Sequence, residues 1–395
     1  MRPVLKPALR RLWRDRGTLQ LGVDPRIAVL LSGLDTATVE LLDCLDGTRD
    51  LSAVLTSAAN MGVEPERAQR LLDLLLAAGA LDDAAVDVRP LAGLGAGERD
   101  RLSPDLAALS LSVTEPGGSV AVLAARRRAV VEIVGAGRVG APLGAHLAAA
   151  GVGHVAVNDD AASTMADVAV GGVTAADAGA PRSQAARTAI RRASTATVAD
   201  PLPVGSRPHL VVLAPVGLPS LTATAALVDQ GIAHLLVHVS ETVGVLGPLV
   251  LPGSTSCVTC ADLHRTARDP GWPLLRAQLS SPGPYGTEAV DGTLAAAAAA
   301  HAALQALDFL DALLRRSQPW TVPATADGTL ELARSDWRWR RHSWPPHPQC
   351  RCRQARWLNG ADDIIPGGER PRGEPAGSQP TADDAGGYAA WADHS

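Results

Sequence analysis

The chain is short of lysine. Of its 36 lysines and arginines only Lys6 is a lysine, so chemistry that needs an amine has one candidate, near the N-terminus. Aromatic residues make up 3% of the chain, with a single phenylalanine. The bias toward alanine, arginine, glycine and proline reads as codon composition. No run reads as a membrane span. The most apolar stretch, Leu294 to Leu314, is mostly alanine and carries His301, Gln305, Asp308 and Asp311, as a packed core helix would. The first residues, MRPVLKPALRRLWRDRG, have charge but no apolar segment of the kind a secretory signal needs. The cytoplasm is therefore the expected location, where thiols stay reduced and clustered cysteines suggest metal before disulfide. A net charge of −5 argues against a general nucleic-acid or anionic-membrane binder.

What is present is enough for a globular protein. The 395 residues are 46% hydrophobic and 19% charged, which suits two or three domains at about 100–200 residues each. Three regions and a tail separate by pattern. Residues 1–85 begin with apolar runs at Thr18–Leu21 and Ala28–Leu31 around Gly22-Val23-Asp24-Pro25, a β-hairpin signature. Helical periodicity follows over Leu34–Leu45, Leu51–Asn60 and Glu64–Ala78. Two strands and three short helices predict a small winged-helix-like α+β module. Its ten basic and twelve acidic residues are the wrong balance for a phosphate footprint. An edge strand and groove that hold a peptide by strand addition fit better. Residues 86–128 read as a connector with one helix near Ala96–Leu109 and a break at Pro116-Gly117-Gly118. Residues 129–358 form the large domain, and 359–395 are a Gly/Pro/Ala/Asp-rich tail expected to be disordered.

The large domain opens with a buried-strand run, Ala129–Val134. Gly135-Ala136-Gly137-Arg138-Val139-Gly140 follows, then a helix over Ala141–Ala150 and a second strand, His154–Val157, ending at Asp159. In this order Gly135 permits a tight turn, Gly137 lets the backbone approach phosphate, and Gly140 lets the helix pack close to the sheet. The helix N-terminus offers free N–H groups, and Asp159 can accept from ribose hydroxyls. The pattern also suits NAD, and a sheet that keeps its glycines for packing alone is the remaining alternative. Further strands at His209–Ala214, His234–Val239 and Gly247–Leu251 complete an α/β, Rossmann-like doubly wound sheet. Arg187, Arg191 and Arg192 read as a solvated helix face.

The five cysteines are unevenly placed. Cys257 and Cys260 form CxxC; Cys350 and Cys352 form CxC, with 89 residues between the pairs. Two close pairs with Pro252-Gly253 and Pro348 before them suit a tetrahedral structural zinc that clasps the end of the domain to its middle. His264 and His347 are reserve ligands. Cys44, within VELLDCL, reads as core.

Taken together, GAGRVGAPLGAHLAAAGVGHVAVND, GAPRSQAA, HLVVLAP, GVLGPLVLPGSTSCVTC and the distal cysteine pair resemble the ThiF/MoeB family, bacterial relatives of ubiquitin-activating enzymes, over about residues 129–352. The N-terminal module, with WRDRGTLQLG and LDGTRD, is similar to PqqD-like peptide-recognition modules. The pair resembles ThiF-like proteins that bind precursor leader peptides and present them to a YcaO-type cyclodehydratase. The resemblance implies a homodimer, ATP at the glycine loop, structural zinc and, in active members, adenylation of a small protein's C-terminal carboxylate. It also exposes departures. Ala169, within Ala166–Val170, stands where the family has an arginine finger. Arg182 replaces a phosphate-contacting lysine, and Val216 stands where a magnesium aspartate is expected. The stretch His264–Gly286, where a crossover loop would lie, has no cysteine. The expectation is a cradle at Gly135–Gly140, with Asp159 and Arg182 nearby, whose other catalytic side chains have gone. The catalytic residues are unassigned, and the function expected is that of a largely non-catalytic peptide-binding partner, with adenylyltransferase and NAD-linked oxidoreductase as alternatives.

Overall fold

The computed structural model describes residues 1–279, 289–315 and 322–356. The expected tail lies outside the described residues, as do residues 280–286 at the end of the stretch where a crossover loop was placed.

The N-terminal part begins with β1 (Pro3–Leu5), β2 (Arg11–Trp13), β3 (Leu19–Leu21) and β4 (Val29–Leu31). Helices α1 (Thr36–Asp43), α2 (Leu51–Asn60) and α3 (Pro65–Ala77) follow, then β5 (Leu81–Asp83). The expected hairpin is β3–β4, antiparallel with Leu19 opposite Leu31. β2 extends it to three strands, while β1 and β5 pair separately. Asp35 and Asp50 start α1 and α2 by accepting the N–H of Thr38 and Ala53, which satisfies donors the helix itself leaves open. Leucines at helical spacing, among them Leu41, Leu42, Leu72 and Leu75, close one core with Leu19 and Leu21. Cys44 is buried beside it, as expected.

The next segment holds two helices where one was expected: α4 (Ala96–Ser112) and α5 (Gly118–Arg128). The second is no mere linker. Arg126 is buried and holds Asp311 through a two-point ion pair, its Nη2 2.6 Å from the carboxylate. The only lysine links this segment to the module. Lys6 Nζ donates to the carbonyls of Ser110 and Val113 at 2.6 and 2.7 Å, at the C-terminal end of α4 where carbonyls lack helical partners. Burial lowers its pKa, against the pull of Asp82 and Glu115. Lys6 is thereby unavailable for phosphate chemistry.

The large domain runs β6 (Val130–Val134), α6 (Gly140–Ala149), β7 (His154–Asn158), α7 (Arg182–Ala193), β8 (Leu210–Leu213), α8 (Leu221–Asp229), β9 (His234–Ser240) and β10 (Val243–Val250). It continues with α9 (Val258–Arg268), α10 (Trp272–Gln278), α11 (Gly292–Arg315), β11 (Gly328–Ala333) and β12 (Trp339–Ser343). One seven-stranded sheet results, in the order β7-β6-β8-β9-β10-β11-β12. The first four strands are parallel and the last three join antiparallel. Alternation along a strand feeds both faces. Leu210 and Val212 of β8 enter the core with α6, α7 and α11, while Val211 and Leu213 meet Leu236 and Val258 on the other side. This is the expected Rossmann-like doubly wound sheet. By length and composition α11 is apolar enough to cross a membrane, yet it packs along α6, α5, β9 and β10 and buries Phe309 completely. The chain leaves β6 toward β7 on one side and reaches β8 on the other. The crevice above the carboxyl ends of β6 and β8 is therefore the switch point where such sheets bind ligands.

Candidate functional site

The loop from β6 to α6 is built by two glycines that the fold itself requires. Gly135 has φ +99°, which L side chains rarely adopt. A Cβ there would lie 2.2 Å from the Ala214 carbonyl oxygen, where β6 and β8 diverge. A Cβ on Gly140 would lie 1.9 Å from the Gly135 carbonyl oxygen. Packing explains both residues without any ligand. Gly137 is different. A Cβ there meets Val216 at 3.5 Å and Asp167 at 3.9 Å, which are ordinary contacts. Its missing side chain is not needed by the fold and opens the loop to an approaching group.

Further observations agree. The backbone N–H groups of Gly137, Arg138 and Val139 have no hydrogen-bond partner among the described residues. They stand at the N-terminus of α6, where partial positive charge collects. A cavity of about 320 Å³ lies beside them, lined by Gly137, Arg138, Asp167, Arg182, Val216 and Val239. That volume is at the lower end of the range for small-molecule sites. The donor set and open glycine fit a phosphate group. We expect Gly137→Ala to leave the melting temperature within about 2 °C of wild type while weakening nucleotide binding in a titration. Gly140→Ala should instead lower the melting temperature sharply, and an equal loss in both would remove the distinction.

The charged side chains around the loop are engaged with one another. Asp159 Oδ2 accepts the Ala136 N–H at 2.7 Å and its Oδ1 accepts from Ala161, so it closes the loop rather than standing open. Arg182, first residue of α7, bridges two carboxylates. Its Nη2 is 2.8 Å from Asp167 Oδ1 and its Nη1 3.9 Å from Asp159 Oδ2. Its Nε also donates to Asp167 at 3.1 Å. Arg138 spans from the loop to the carbonyls of Ala166 and Val290 at 2.6 and 2.8 Å. Val216 lines the cavity where an aspartate was expected. Ala169 sits in a turn, donating to Val173 and accepting from Gly172, and offers no cation.

Asp167 is a second acidic side chain at the loop, beside Asp159, that the sequence reading did not place there. It is buried, and its carboxylate faces Gly137. Sequence reasoning passed over it because its position depends on the turn after β7. The one local signal is the Thr164-x-x-Asp167 spacing. Asp167 caps the Thr164 N–H and hydroxyl at 2.8 and 2.9 Å, in a capping-box arrangement.

The cysteines meet at the far side of the domain. The Sγ atoms of Cys257, Cys260, Cys350 and Cys352 all lie within 4.8 Å of one another. The 257–350 and 260–352 pairs are 3.6 and 3.4 Å apart. A tetrahedral ion with sulfur at ~2.3 Å requires sulfur separations of ~3.8 Å, so the set fits a metal. Cys257 is the N-cap of α9 and Cys260 lies in its first turn, where the helix favours thiolate. The His347 N–H donates to Cys260 Sγ at 3.3 Å. Without a cation the thiols compete. S–H donation from Cys257 and Cys352 pushes the Cys260 pKa down, and donating to Cys260 pushes Cys257 up to about 12. Imidazole ligation by His264 is not needed to complete four donors; its Nε2 contacts the Pro345 carbonyl.

The chain is thus an α/β protein with a doubly wound sheet, a glycine loop at its switch point and a distal four-cysteine cluster. Residues 116–203 match the ThiF family. Among solved structures, Escherichia coli MccB with ATP superposes with a TM-score of 0.65 at 14% identity, over 89% of this chain and 99% of that one. The microcin C7 biosynthetic enzyme MccB in complex with N-formylated MccA gives 0.65 at 13%, over 89% and 100%. PaaA gives 0.61 at 15%, over 87% and 100%. These identities establish a shared fold. No curated protein matches the sequence.

Proposed function

We propose that this chain binds a precursor leader peptide through residues 1–85 and presents it to a partner enzyme of the YcaO cyclodehydratase type. The large domain acts as a largely non-catalytic scaffold that retains a nucleotide seat and is held together by zinc. A homodimer belongs to the same reading. The observation that carries it is the internal pairing of the glycine loop's charged groups. Arg182 is held by Asp167 and Asp159, and Arg138 by two carbonyls. Two arginines and two aspartates sum to zero, whereas phosphoryl-transfer sites surround the transferring group with uncommitted positive charge.

The N-terminal module supports peptide binding. β2 and β4 are the edges of its three-stranded sheet. On and around them Trp13, Val23, Ile27 and Leu30 expose apolar surface, Leu30 by 51%. An edge with exposed apolar side chains suits an added strand, with main-chain hydrogen bonds for affinity and side-chain contacts for selectivity. Relatives of the same fold point the same way, since MccB is solved with MccA.

The test uses full-length protein and a synthetic precursor peptide encoded beside its gene. Fluorescence anisotropy should show binding that Leu30→Asp weakens by about tenfold or more, the cost of placing one charge on a buried apolar contact. ATP–pyrophosphate exchange should stay at background. Peptide-stimulated exchange would favour the second reading, an ATP-dependent adenylyltransferase. That reading draws on the open approach at Gly137 and on Asp167, an acidic side chain that could serve a metal ion once Arg182 turned to phosphate.

A further inference from the structure

We infer that Asp167 is a specificity-determining residue of the glycine-loop site: its carboxylate occupies the place of a ligand phosphate and holds Arg182 against it. The inference rests on the nucleotide seat and not on the peptide-binding reading.

Three observations place a built-in anion at the loop. Asp167 has only 6% of its surface exposed, and Oδ1 is 3.9 Å from the point where a Gly137 side chain would begin. Arg182 meets it through both Nε and Nη2, at 3.1 and 2.8 Å. This two-point geometry is the one a guanidinium uses toward carboxylate and phosphate alike. Third, the same carboxylate is fixed in place by the Thr164 N–H and hydroxyl, so it is tethered through its own backbone turn and pays no association entropy.

The consequence is electrostatic. A phosphate arriving at the N–H groups of Gly137, Arg138 and Val139 meets the Asp167 charge in a partly dehydrated cavity, where like charges repel strongly. It also finds Arg182 already paired. To recruit Arg182 it must displace a partner that is covalently local. The uncharged part of a nucleoside meets neither obstacle. The wild-type site therefore discriminates against the phosphate part of a nucleotide while leaving the nucleoside part unaffected. Removing the charge while keeping the shape should release Arg182 to the ligand.

Asp167→Asn keeps an oxygen for Thr164 and removes the charge. Isothermal titration of full-length protein with ATP, inorganic pyrophosphate and adenosine reads the effect, in metal-free buffer and again with magnesium. The expected result is an affinity for ATP and pyrophosphate raised by about tenfold or more without metal, with adenosine unchanged. Adding Arg182→Gln to the variant should cancel the gain. Should Asp167→Asn fail to reach the wild-type circular dichroism spectrum, Asp167→Ser serves as the second variant with the same expectations. Equal or weaker binding of ATP and pyrophosphate in a folded variant overturns the inference, as does failure of both proteins to bind any of the three ligands. Weaker ATP binding confined to the magnesium buffer also overturns it, because Asp167 would then be holding a metal. Loss of peptide binding has no bearing on these outcomes, so the two readings fail separately.

Discussion

A metal ion held by the four-cysteine cluster is expected to keep the closing part of the large domain folded, so that a chelator unfolds it. The ligands come from two places far apart in the chain. Cys257 and Cys260 open α9, after the loop that follows β10, and Cys350 and Cys352 follow β12. A bound ion would close a loop containing α9 to α11 and the two outermost strands of the sheet. The segment beyond the second pair already packs tightly, since a Cβ on Gly253 would lie 2.2 Å from the Ala355 carbonyl oxygen. The apolar backing is thin, consisting chiefly of Val228, Val250 and the cysteines themselves, so coordination must supply much of the local stability. Structural zinc sites commonly contribute on the order of 10 kcal/mol in small domains. Here part of that loop is also held by the main core, and a loss of about 5 kcal/mol is the expectation. Metal analysis of untagged protein should find one zinc per chain. Cys257→Ser and Cys352→Ser should lose it together with a large drop in melting temperature, while Cys44→Ser keeps it. Protein without metal but with wild-type stability would remove the clasp.

The cysteine cluster and the glycine loop were readable from the sequence for the same physical reason: each depends on local spacing. Val130–Val134, the loop and Gly140–Ala149 are contiguous, so the order strand, turn, helix is written in neighbouring residues. CxxC and CxC each place two sulfurs within reach, leaving one long-range pairing to guess. Leu41, Leu42, Leu72 and Leu75 fall at helical spacing, and Asp35 and Asp50 mark where two helices begin.

What escaped depends on distance along the chain. β1 and β5 have three residues each and pair only because the module closes on itself. Helix α5 ends in Arg126-Arg127-Arg128 and reads as a polar connector. Arg126 is nevertheless buried, because Asp311 arrives from α11 to neutralise it. The strand Trp339–Ser343 is a sheet edge with largely exposed charged residues, and such a strand shows no alternation to detect. Asp167 belongs to the same class. Its meaning appears only when β7, the following turn and α7 bring it to Gly137 and Arg182.

Two histidines inside the sheet make the fold acid-labile, and the expected slope can be worked out. His234 and His238 lie on β9 and point to one face of the sheet. Burial pushes each down to about 4 from the usual 6.5, and the charges of Arg265 and Arg276 add to the effect at His238. The His234 Nδ1 meets the Ile232 carbonyl, whereas its Nε2 and the His238 Nδ1 have no partner among the described residues. Both rings are therefore neutral when folded and become charged on unfolding below pH 6.5. The unfolded chain then binds more protons, so stability is complete above about pH 6.5 and falls as the pH drops toward 4. Each histidine contributes a loss of at most about 3 kcal/mol across that window. Protonation of the cluster thiolates would act in the same direction if they hold a metal, and a substitution separates the two. His238→Leu removes one titrating ring at a buried position on the sheet face that also carries Leu236. Urea denaturation at pH 7 and pH 5 should show a smaller loss of stability in this variant than in wild type, with metal content unchanged between the two proteins at each pH. An unaltered pH dependence in His238→Leu would mean that the His238 ring is not held neutral in the folded protein, and its share of the acid sensitivity would be withdrawn.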